Sequence, residues 1–164
     1  MNEELTLLIA ALREELAQYG EMLALLDREQ ELVVGRAASE LIQTVDAINR
    51  QAEVIREARE RREESLRKVA ELAGLPRNTT FERLKPCLPE NHAILATALV
   101  EENNELLIRV RQRARQNHLL LTRSLELMQQ FINTLFPSGG TATYSGDGQV
   151  RGGLPQRAFY DAVG

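Results

Sequence analysis

The chain has 164 residues, a formal net charge of −4 and a composition rich in Leu, Glu, Arg and Ala, with four Phe, three Tyr and no Trp. That length holds one domain and a tail, and that mix favours helix over sheet, so an elongated bundle is expected rather than a ball. The lone Cys87 excludes an intrachain disulfide, and no uninterrupted apolar run approaches the ~20 residues of a membrane span.

The first helix is expected over about 2–34. Leu5, Ile9, Leu12, Leu16, Tyr19, Leu23 and Leu26 recur in alternating steps of four and three, the narrow apolar seam of a coiled coil. Its acidic residues (Glu3, Glu4, Glu14, Glu15, Glu21, Asp27, Glu29 and Glu31) outweigh Arg13 and Arg28, whereas the rest of the chain is balanced. No basic face is large enough for general nucleic-acid binding. The opening MNEELTLL places acidic residues where a secretory signal has basic ones, so a cytoplasmic protein is expected. Gly35 marks either a bend or a turn, and a fold-back between Gly35 and Ser39 is the favoured reading.

The second helix is expected over about 36–73. Its seam reads Leu41, Val45, Ile48, Ala52, Ile55, Arg59, Arg62, Leu66, Val69 and Ala73, with two arginines in apolar positions. Around them the helix is charged on almost every side. Either this section is solvated or overhangs its partners, or Arg59 and Arg62 meet an acidic partner.

Gly74-Leu75-Pro76 stops that helix, and Asn78, Thr79 and Thr80 are candidate caps for a short connector helix over about 80–85 that tucks in Phe81 and Leu84. A long final helix is expected over about 89–136, some 70 Å at ~1.5 Å per residue. Beyond it, residues 137–164 are Gly-rich and without periodicity, a disordered tail. Tyr144, Leu154, Phe159 and Tyr160 stand out there as candidate latch or contact residues. The expected fold is thus all-α: an antiparallel three-helix bundle with a short connector helix (residues 1–136) and a flexible tail.

No catalytic constellation emerges, and no enzyme, cofactor or metal is expected. His92 and His118 are far apart and complete no Glu-x-x-His or His-x-x-x-His pattern, and His118 reads as a surface or seam residue. Cys87, between Pro86 and Leu88, reads as a small apolar filler. The tail glycines neither follow a strand nor open a helix, so no phosphate-binding turn is expected.

The last part of the long helix carries more apolar side chains than one seam needs. Leu121, Leu125, Met128, Ile132 and Leu135 form a row expected to face the first helix. Leu120, Leu127, Phe131 and Phe136 form a second row, either covered by the second helix or open to an amphipathic partner helix. The candidate partner-binding residues are Leu120, Leu127, Met128, Phe131, Leu135 and Phe136. Anionic membrane surfaces fit poorly, because Arg123 is the one cation there and Glu126 opposes it.

The pattern resembles a known family. It joins Tyr19-x-x-Met22-Leu23-x-Leu25-Leu26 and Glu29-x-x-Leu32, the Gly74-Leu75 stop with Thr80-x-x-x-Leu84, Glu102-Asn103-Asn104 before Leu106 and Leu107, and Asn117 before the apolar row. It closes with Tyr144-Ser145-Gly146-Asp147-Gly148. In that order the segments resemble the FlgN-type flagellar export chaperones over about residues 5–150. The resemblance implies a cytoplasmic, non-enzymatic protein that binds the amphipathic C-terminal segments of hook-associated (hook–filament junction) proteins and delivers them to the type III export apparatus. It also implies client contact at the end of the long helix. The rival reading is a self-associating coiled-coil adaptor, a homo-oligomer built on the same face.

Overall fold

The computed structural model describes residues 2–136; the expected latch residues Tyr144, Leu154, Phe159 and Tyr160 lie outside the described residues. Helix α1 spans Asn2–Val34, α2 Ala38–Leu72, the one-turn α3 Phe81–Leu84 and α4 Glu90–Leu135, with a 3-10 turn at Lys85–Cys87. Among the described residues there is no strand, and no helix is long and apolar enough to cross a membrane.

Helix α1 is the axis on which α2 and α4 both pack. Gln51 on α2 donates to Gln18, and Arg28 pairs with Glu40 at 2.8 Å, so α2 runs antiparallel to α1. Helix α4 runs parallel to α1. Asn103 donates to the Leu12 carbonyl and Asn117 to the Leu26 carbonyl, both across a sequence separation of 91. The chain therefore goes up, down and up.

The buried seam of α1 reads Leu5, Leu8, Leu12, Glu15, Tyr19, Met22, Leu26 and Glu29, with Ile9 and Leu32 beside it. It shares every second member with the expected ladder. At the other positions Leu8, Glu15 and Met22 replace Ile9, Leu16 and Leu23 as the principal row. Leu16 and Leu23 are half-buried because α1 has neighbours on two sides and must bury a band wider than one seam.

Two apolar clusters form the core. The lower one gathers Leu5, Leu8, Leu12, Val69, Ala96 and Leu99, closed from beneath by Leu84 and Leu88 of the connector. Phe81 packs against it, half-buried. Thr80 precedes α3 in extended conformation, but no side chain caps that helix. Cys87 is exposed, a correction to its reading as a filler; the apolar plug is its neighbour Leu88. The upper cluster gathers Tyr19, Met22, Leu26, Ile48 and Val110.

Polar layers separate and end these clusters. Glu15, almost fully buried, accepts from the Tyr19 hydroxyl at 2.9 Å and from Arg62 Nε at 2.9 Å. Arg62 thus stands in an apolar position because its charge is spent inside the bundle, which corrects both the solvated and the external-partner readings for that residue. Burial, then the neighbouring Glu15 carboxylate, push the Tyr19 hydroxyl up to about 12. Higher up, Asn117 donates to Glu29 at 2.7 Å as well as to the α1 backbone; both residues are buried.

Helices α1 and α2 end in the same way. At the end of α2, Gly74 takes φ 73°, with Gly74 N–H donating to Glu71 and Leu75 N–H to Ala70. At the end of α1, Arg36 takes φ 54°, with Arg36 N–H donating to Val33 and Ala37 N–H to Leu32. Both are left-handed helix stops in which two orphan carbonyls are satisfied. Gly35 stands one residue before the left-handed position. The turn is real, but it uses arginine where glycine would avoid a cost of about 1 kcal/mol.

Candidate functional site

The register between α1 and α4 decides what the end of α4 can touch. With a constant offset of 91, the last residue of α1, Val34, stands level with Leu125. Helix α4 continues to Leu135, a further ~15 Å at 1.5 Å per residue. Asn117 is the last fully buried residue of α4, and Leu121 is half-buried. From Thr122 onward every described residue is exposed.

This corrects the expectation that Leu121, Leu125, Met128, Ile132 and Leu135 pack on the first helix. Only Leu121 does so in part; Leu125 is 65 % exposed, Met128 58 % and Leu135 55 %. The spacing of that row is right for a seam, but α1 has ended. The second row is open as well: Leu127 is 51 % exposed, Phe131 62 % and Phe136 74 %. Helix α2 does not cover it, because it starts only at Ala38, level with the cleft described next.

Where the α1–α2 turn meets α4 there is an open cleft of about 560 Å³. One wall is Leu32, Val33, Arg36, Ala38 and Leu41, from the turn and its flanks. The other is Leu121, Ser124, Leu125, Leu127, Met128 and Phe131 of α4. Of the partner-binding residues expected from sequence, Leu127, Met128 and Phe131 line this cleft, whereas Leu120, Leu135 and Phe136 do not. The turn-side wall is what sequence reasoning missed. The apolar pair Val33 and Val34 beside a break, with a final helix longer than the first, was the available signal.

The overhang is electrically quiet. From Leu119 to Phe136 the sequence has only Arg123 and Glu126, paired at 3.3 Å. Its other polar groups are the uncharged Thr122, Ser124, Gln129, Gln130, Asn133 and Thr134. Such a surface binds by apolar burial and amide hydrogen bonds rather than by charge.

A second concavity lies lower, between α2 and α4 above α1. Two cavities of about 330 and 200 Å³ share Tyr19, Arg59 and Leu107. Its walls carry both signs: Arg56 and Arg111 stand beside Glu53, Glu60 and Glu63. The Arg56 guanidinium, hydrogen-bonded to Glu53 and Glu60, is held above its ordinary range. Among the described residues no group of three or more His, Cys, Asp or Glu side chains could hold a metal ion.

Compared with models of protein families, the chain matches the one described as FlgN protein over residues 1–152. No curated protein and no solved structure matches it.

Proposed function

The chain belongs to the FlgN family of flagellar export chaperones, and from that premise we propose that it is a cytoplasmic chaperone for hook-associated proteins. It holds their amphipathic C-terminal segments on the overhanging end of α4, prevents premature assembly and hands them to the export apparatus. The observation that carries this reading is the pair of apolar rows on α4 beyond the end of α1, open along their length. A contiguous apolar face of this kind is a liability unless something covers it for part of its working life. Capture through non-covalent contacts, chiefly apolar, is reversible, which suits a client that must be released intact at the export gate.

The test is calorimetric titration of the full-length protein, a 1–136 truncation and the double variant Leu127→Glu/Phe131→Glu with C-terminal peptides of hook-associated proteins from the same genome. Binding to the full-length chain that disappears in the double variant is expected. The truncation then reports whether Tyr144, Leu154, Phe159 and Tyr160 compete with the client or add to its hold. If no such peptide binds the folded protein, the reading fails.

The same exposure supports a second reading, self-association through Leu127, Phe131 and Phe136. Light scattering across a concentration series separates the two. A stable oligomer that the double variant dissolves favours the adaptor.

A further inference from the structure

The two left-handed helix stops differ in one residue. At Gly74 the strained position is filled by glycine, which adopts φ 73° freely; at the α1–α2 turn it is filled by Arg36 at φ 54°, although glycine is its immediate neighbour. Among the described residues Arg36 makes no side-chain hydrogen bond and no ion pair. It is also the one charged residue lining the cleft, whose α4 wall is Leu127, Met128 and Phe131.

A cation anchored on a tight turn, unpartnered, beside an apolar wall is placed to receive an anion that arrives with an apolar surface. We propose that Arg36 binds the terminal carboxylate of the client, so that the cleft takes the C-terminal end of an amphipathic helix lying antiparallel to α4. This rests on the client reading above. The direction follows from what the end of such a helix would meet. A helix laid along the overhang stops against the α1–α2 turn, where α2 begins at Ala38. The carboxyl end of α1 and the amino end of α2 meet at this turn with opposing partial charges, so the sign is set by the Arg36 guanidinium, the one full charge lining the cleft: the carboxyl end of the incoming helix is attracted and its amino end repelled. The guanidinium fork matches a carboxylate in two parallel hydrogen bonds. The apolar walls lower the local dielectric, which strengthens such a pair relative to one in open water.

The experiment uses the full-length protein and C-terminal peptides of the hook-associated proteins, each made with a free carboxylate and with a carboxamide end. Arg36→Gly is the matching variant, since glycine keeps the turn; its thermal melt confirms the fold. On the native chain the carboxamide is expected to bind about fivefold to tenfold more weakly than the free acid, the range of a partly exposed charge-assisted contact. On Arg36→Gly the two peptides should bind alike, at the weaker level. Equal affinity of both peptides for the native chain overturns the proposal and leaves the client reading standing. An equal loss on amidation in both proteins also overturns it, because the carboxylate is then read elsewhere. Failure of both peptides to bind the native chain overturns the proposal together with the client reading.

Discussion

One helix lives two lives in this molecule. Between Ala96 and Val110, α4 alternates buried Ala96, Leu99, Asn103 and Val110 against α1. Between Leu125 and Leu135 it repeats the same apolar spacing with its side chains exposed and, among the described residues, only the α1–α2 turn across an open cleft from its first part. Local sequence is equally seam-like in both stretches. The difference is the length of the partner helix, and it shows that a heptad pattern specifies a face that is able to pack rather than a face that is packed.

That contrast can be broken by experiment. Leu12→Ala removes a side chain from the lower core, and about 3 kcal/mol of stability should go with it in urea unfolding. Phe131→Ala, of greater volume, should shift stability by no more than about 0.5 kcal/mol. Comparable losses at the two sites would mean that the overhang is covered in the free protein. Arg62→Ala should cost about 2 kcal/mol, because Glu15 stays buried with the Tyr19 hydroxyl but without its hydrogen-bonded guanidinium.

The Tyr19 hydroxyl gives a pH signature of the same layer. Its folded value is raised above the ordinary 10.0 to about 12, so the folded state holds this proton where the unfolded state has released it. The associated stability is intact below pH 10 and is lost as pH rises towards 12, by about 2 kcal/mol in all. Tyr19→Phe should remove this part of the slope between pH 9 and pH 12. A small effect of opposite sign sharpens the turn: Arg36→Gly should stabilise the protein by about 0.5–1 kcal/mol, since glycine relieves the left-handed strain.

The bundle was largely legible because its elements are long and periodic. Gly74-Leu75-Pro76 announced a stop that the structure builds in full, and Leu84 announced the plug beneath the core. What was not legible came from pairing between helices. Glu15 and Glu29 look like surface charges until Arg62 and Asn117 are found beside them, more than forty and eighty positions away along the chain. The ladder chosen from apolar residues alone therefore ran through Leu16 and Leu23, which are only half-buried. At the site, the apolar surplus of Leu127, Phe131 and Phe136 was visible, but the opposite wall was not. Whether Leu125 and Met128 touch α1 depends on where α1 stops relative to α4, and only the register answers that.

That register is held by Asn103 and Asn117, two heptads apart, each reading a carbonyl two heptads apart on α1. Leucines would accept a slide of seven residues almost as well; an asparagine that must find a carbonyl and satisfy a buried glutamate would not. The pair works as a ruler with its zero at the α1–α2 turn, and the free length of α4 is the distance it measures. Inserting one heptad after Asn117 should therefore lengthen the protruding arm by about 10 Å while leaving the bundle beneath it untouched.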